Sequence, residues 1–83
     1  MTHKEFRKLD WKFLSHVSMM YEHITRYQAT YKGSNIILDE VQPMRNNEPY
    51  GGLKIYITYK GTEYKSIESF IKAMEDSQCK TQG

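Results

Sequence analysis

Residues 6–27 read Phe-Arg-Lys-Leu-Asp-Trp-Lys-Phe-Leu-Ser-His-Val-Ser-Met-Met-Tyr-Glu-His-Ile-Thr-Arg-Tyr, and the folding of this run decides the architecture. Its apolar residues fall at Phe6, Leu9, Phe13, Val17, Met20, Ile24 and Tyr27. The steps alternate between three and four, which is one stripe along a helix. Thr2 and Glu5 have the spacing of a capping box just ahead of it. No Gly or Pro interrupts before Gly33. The pattern predicts a long N-terminal helix from about residue 2 to residue 24. Residues 25–31 admit two readings, because the stripe can run on to Tyr27 while Tyr27, Ala29 and Tyr31 also alternate as in a strand. A helix end within 24–28 and a short strand after it is the favoured reading.

Working outward, Lys32-Gly33-Ser34 is a turn and Asn35–Val41 a strand centred on Ile36-Ile37-Leu38. Gln42–Gly52 holds both prolines and reads as a long loop. Leu53–Tyr59 is the clearest strand, with Leu53, Ile55, Ile57 and Tyr59 facing one way and Lys54, Tyr56 and Thr58 the other. Lys60-Gly61 turns the chain into 62–65, so that Tyr59 pairs with Thr62 and Ile57 with Tyr64. Ser66 is an N-cap, and Ile67, Phe70, Ile71 and Met74 form one face of a short C-terminal helix. A polar, frayed tail follows from about residue 76. The 83 residues make one small α+β domain. A three- to four-stranded antiparallel sheet carries both helices on one face and leaves the other wet. Thr30–Ser34 and Thr58–Thr62 echo each other as two similar β-turns.

This α-β-β-β-α order resembles that of double-stranded-RNA-binding domains. The resemblance covers element order alone. Those domains open their last helix with a phosphate-bridging lysine cluster, where this chain has Ser66-Ile67-Glu68-Ser69 with Lys65 and Lys72 nearby.

At 39% hydrophobic and 27% charged residues, the composition is too apolar for a disordered tail and too polar for a membrane protein. An acid at position 5 and no apolar run with a small-residue cleavage site read as no secretory signal. One cysteine, Cys79, can build neither a disulfide within the chain nor a zinc site, which points to a reducing, cytoplasmic setting. Net charge is +2, and its distribution is uneven. Residues 1–35 carry six Lys or Arg against three acids, whereas 36–52 carry one against three.

No phosphate-binding, dinucleotide or nucleophile-elbow motif is present, so the chain reads as a non-enzyme without cofactor or metal. His16 and His23 lie two turns apart on the expected helix, about 10 Å along its axis and too far for one metal ion. They read as boundary histidines, and Asp39-Glu40 as a solvated strand end. Two surfaces invite a partner. Around the helix side opposite the stripe come Trp11, Lys4, Glu22, Ser15, Lys8, Arg26, Met19 and Lys12. An exposed Trp ringed by cations suits a protein interface or a nucleic-acid backbone with a stacked base. The outer sheet face gathers Lys54, Tyr56 and Lys65, which can stack single-stranded bases and neutralise phosphate.

These features describe a small non-catalytic regulatory binding protein, inhibitor- or antitoxin-like, of the kind phages and mobile elements encode. The leading expectation is a partner that is RNA or an RNA-associated protein, bound through Lys8, Lys12, Arg26, Lys54, Tyr56 and Lys65. The alternative is a pure protein–protein antagonist or assembly subunit, as a monomer or a homo-oligomer, using Trp11, Met19, Arg45 and Tyr50. No membrane partner is expected.

Overall fold

The computed structural model describes the backbone of residues 1–82 and the side chains of residues 1–75. The tail read from residue 76 lies outside the described side chains. The elements are α1 (His3–Arg7), β1 (Lys12–Ser18), β2 (Glu22–Tyr31), β3 (Ser34–Arg45), β4 (Glu48–Pro49), β5 (Lys54–Tyr59), β6 (Thr62–Tyr64) and α2 (Ile67–Gln82). All strand pairs are antiparallel, and the sheet order is β1-β2-β3-β5-β6, with β4 also paired to β3.

The long N-terminal helix does not form. Thr2 does cap a helix, its hydroxyl accepting from the Glu5 amide at 3.1 Å, but α1 has only five residues. Beyond it Asp10 accepts a hydrogen bond from the Thr30 amide at 2.9 Å, tying the chain to β2. The next two segments are strands. Ile24, Thr25, Tyr27, Thr30 and Tyr31 are β-branched or aromatic residues suited to a pleated surface. They pair along all of β2 with β3, from Glu22 against Pro43 to Tyr31 against Ser34. Hence residues 22–31 resolve as strand. The three-four spacing upstream is a coincidence: its residues are spread from α1 through a β1 interrupted by a bulge and the turn after it into β2, and they face both sides of the sheet. Between Phe13 and Ser15 the register of β1 against β2 slips, and the alternation that would have marked a strand is lost. The expected 42–52 loop is also largely strand, since β3 runs on to Arg45 and turns back into β4.

Three two-residue turns close the hairpins. Lys32-Gly33, Asn46-Asn47 and Lys60-Gly61 all have both residues at positive φ, between 49° and 79°. That is the backbone of a type I′ turn, whose twist matches the flanking strands. Lys32 and Lys60 adopt it despite a Cβ, and the Gly after each takes the second positive φ at no steric cost.

Cross-strand partners share a face of the sheet. Tyr27 and Ala29 of β2, Ile36 and Leu38 of β3, and Ile57 and Tyr59 of β5 therefore point to one side, as does Tyr64. Here they meet Phe6 of α1 and Phe70 and Ile71 of α2. Phe70, Ile36 and Ile57 are fully buried. The Phe70 ring lies edge-on to Phe6, Tyr31, Tyr59 and Tyr64 at centroid distances of 5.3–6.4 Å. Such contacts add about 0.5–1.5 kcal/mol each beyond area burial. The Tyr59 hydroxyl donates to the Tyr31 carbonyl at 3.1 Å. Ser66 caps α2, accepting from the Ser69 amide at 3.0 Å.

The molecule measures 52 × 23 × 22 Å. A 12-residue strand such as β3 spans about 40 Å, so it can lie only along the long axis. The helices and β6 cover one end of β2 and β3. The other end projects as a ribbon of β1, β2, distal β3 and β4. Four stripe residues expected in the core lie in this ribbon instead: Phe13, Val17 and Met20 are exposed, and Ile24 is half-buried. Leu53, expected to face inward, is exposed as well.

Candidate interaction surface

Every large hydrophobic residue that is exposed among the described side chains belongs to two segments. Phe13, Leu14, Val17, Met19, Met20 and Tyr21 come from β1 and the turn after it, and Tyr50 and Leu53 from the chain between β4 and β5. Of these, Leu53 lies beside the helices, in a cleft it lines with His3, Arg7 and Ile67. Met20 and Tyr21 are the extremes at 77% and 75% exposure. They occupy the ribbon tip, where the Met19 amide donates to the Glu22 carbonyl at 2.9 Å and the Met44 amide to the Tyr21 carbonyl at 2.8 Å. Beside them Met20, Tyr21, Arg45, Asn46 and Asn47 line a depression of about 410 Å³. Arg45 sits over the Tyr50 ring, 5.3 Å from its centroid. Met19, Arg45 and Tyr50, three of the residues read as a protein interface, thus share the tip region.

Trp11 does not join them. Its indole Nε1–H donates to the Phe6 carbonyl at 2.9 Å, and its ring packs on Phe6 at 5.1 Å. It is a half-buried rim of the core. With the long helix gone, the cation ring around it goes too.

The helix-facing side of the sheet continues along the ribbon as a polar–aromatic strip. Phe13 lies edge-on to Tyr27 at 6.2 Å. His16 and Thr25 share a 2.9 Å hydrogen bond, and the His16 and His23 rings stand 5.6 Å apart. The two histidines are thus diagonal neighbours across strands, not residues two turns apart on a helix. The Glu40 carboxylate beside the Tyr27 phenol pushes the phenol pKa up, with desolvation and a hydrogen bond to Glu40 adding to it. Among the described residues no three His, Cys, Asp or Glu side chains gather as a metal site.

The opposite, open side carries a row Val17–Ile24–Val41–Lys54 across four strands. Val41 is buried to 9% exposure on this side, without belonging to the main core. The next row is Arg26–Asp39–Tyr56. Arg26 binds Asp39 through two hydrogen bonds of 2.7 and 3.0 Å, which raise its pKa further.

The residues read as a nucleic-acid site divide accordingly. Lys54, Tyr56 and Lys65 do come together, lining an open cleft of about 600 Å³ beside β5. His3 and Arg7 of α1 enter it from the far wall, with Glu68 of α2. Sequence reasoning missed His3 and Arg7, because it placed them on a helix running elsewhere. Lys8 caps the end of α1, Lys12 opens β1, and the charge of Arg26 is held by Asp39. None of the three lines the cleft.

No family model, curated protein or solved structure matches the chain. No helix among the described residues is long and apolar enough to cross a membrane.

Proposed function

We propose that the chain is a small non-catalytic binding protein that docks a protein partner on its projecting ribbon. The observation that supports this reading most is the segregation of exposed apolar residues. Isolated exposed hydrophobics are ordinary, but contiguous ones on one end of a small domain mark an interaction surface. Aromatic residues and Met are enriched in such interfaces, and Met adapts its shape to the partner. The ribbon tip offers Met19, Met20, Tyr21 and Tyr50 together, with Arg45 as its cation. A role as antagonist or assembly subunit fits this design, since occupying a surface needs no reacting group.

Affinity capture from lysate of the native host, with and without nuclease, tests it. The bait is compared with a Met20→Ser, Tyr21→Ser variant. A defined protein captured after nuclease treatment, and lost with the variant, is the expected outcome. Equal capture by both baits removes the ribbon from the interface.

The cleft favours a second reading, in which RNA or another phosphate-bearing chain binds through Lys54, Lys65 and Arg7 with a base on Tyr56. Each phosphate contact releases about one counterion, so every neutralised cation should flatten the log–log salt dependence by about one unit. Capture that disappears on nuclease treatment and tracks Lys54→Gln and Lys65→Gln supports this reading over the first.

A further inference from the structure

We infer that the ribbon pairs with a second copy of this chain through the free edge of β1, in antiparallel register centred on Val17. This rests on the reading of the ribbon as a docking surface and names its occupant. β1 pairs on one side only, with β2, and all seven of its residues are exposed. An edge of this kind is a template for another strand unless charge, proline or a bulge blocks it. The bulge between Phe13 and Ser15 blocks the first part of β1 and leaves Ser15–Met19 open.

Register follows from which face each residue uses. Paired strands place directly opposed residues on the same face. His16 and Ser18 lie on the helix-facing side, opposite Thr25 and His23, whereas Ser15 and Val17 lie on the open side, opposite Arg26 and Ile24. A two-fold centred on Val17 keeps this parity. Val17 then meets Val17 of the second copy, His16 meets its Ser18, and Ser15 meets its Met19. The apolar row Val41–Ile24–Val17 continues without a break into the same row of the second copy.

Charge agrees with this occupant. Residues 13–21 contain no Lys, Arg, Asp or Glu, so no like charges face each other across the two-fold. Lys12, the one cation of the strand, points toward the turn of the second copy, after which Glu22 is the first charge. Within the open stretch the exposed apolar residues are Val17 and Met19, at 48% and 42%. Two such side chains per copy fall well short of the total of about 1,000 Å² at which a specific interface begins. The expected dimer is therefore weak and concentration-dependent.

Sedimentation equilibrium of the full chain from about 5 to about 500 µM reads the association directly. The mass should rise from one chain toward two. Val17→Lys puts two ammonium groups against each other and should weaken association more than about 10-fold, with an unchanged melting temperature. Thr58→Lys, on the same open face but away from β1, should leave it intact. A 1:1 mixture of Val17→Lys and Val17→Asp should recover the mass of two chains, because only in this register do the two side chains meet. A wild-type dimer with no recovery in the mixture overturns the register. A wild-type chain that stays single at the highest concentration overturns the second copy as occupant. Docking of a different protein on the ribbon is scored separately, by the Met20 and Tyr21 variant in the capture experiment.

Discussion

The two ends of β2 and β3 are built from the same strands but solve different problems. At the helix-covered end, alternate residues such as Ala29, Ile36 and Ile57 disappear under Phe6, Phe70 and Ile71, and the outward residues are left to water. At the ribbon end no helix arrives, and apolar residues stay exposed on both sides of the sheet and at its tip. A small sheet with neither face packed is marginal in water. Here it is held because its strands are continuous with those of the core. Stability is thus concentrated at one end and unsatisfied apolar surface at the other, which separates the residues that fold the chain from those free to bind.

That division can be broken experimentally. The largest effect belongs to Phe70→Ala, which empties the centre of the aromatic cluster. A loss of about 3–5 kcal/mol in denaturant unfolding is expected, enough to leave much of so small a domain unfolded. Trp11→Ala should cost about 2 kcal/mol, less than a fully buried Trp, through lost packing on Phe6 and the lost indole hydrogen bond. A Trp11 variant that melts like the wild type but binds poorly would move this residue back to the interface.

Smaller effects sharpen the same contrast. Arg26 and Asp39 form a bidentate but half-exposed pair, so Asp39→Ala should cost about 0.5–1 kcal/mol, shrinking as salt is added. Changing Met20 and Tyr21 to Ser should shift unfolding by no more than about 0.5 kcal/mol while removing partner capture. A large loss of stability there would show that the tip supports the fold. The smallest effect concerns Tyr27, whose phenol is raised by Glu40. The folded state holds that proton more tightly than the unfolded chain does. The resulting stability is present below the ordinary tyrosine range and fades as pH rises through it. NMR titration of Tyr27 should therefore show a lower midpoint in Glu40→Gln.

Legibility in the sequence followed the same boundary. The β5–β6 hairpin was readable to the residue, though Leu53 fell outside the strand: Ile57 pairs with Tyr64 and Tyr59 with Thr62, and Lys60-Gly61 makes the turn. Strict alternation between two turn signals leaves little freedom there. Residues 6–27 misled because apolar residues on both faces of the ribbon and in its turn, with a bulge in β1, fall by coincidence at spacings of three and four. The β-forming content of 24–31 was the better guide, since it carries the pairing with β3. Among the site residues, Lys54, Tyr56 and Lys65 were found together because they sit on or beside β5. Met19, Arg45 and Tyr50 gather by a different route, through hairpins where the sequence pattern predicts a helix and a loop. Trp11 was misjudged because its cover is Phe6, five residues upstream across the end of α1, a contact a continuous helix would forbid.

The 52 Å length has a further consequence for the shape of the molecule. A single sheet with nothing stacked on it is about 10 Å thick, the spacing of one layer. The free end is therefore a blade, whereas a compact domain of similar size is more than twice as deep. Its two sides carry different chemistry: His16, His23, Phe13, Tyr27 and Glu40 on one, the Val17–Ile24–Val41 row on the other. The molecule therefore tapers, from a layered end where helices back the sheet to an end one sheet deep, much as a hilt gives way to a knife.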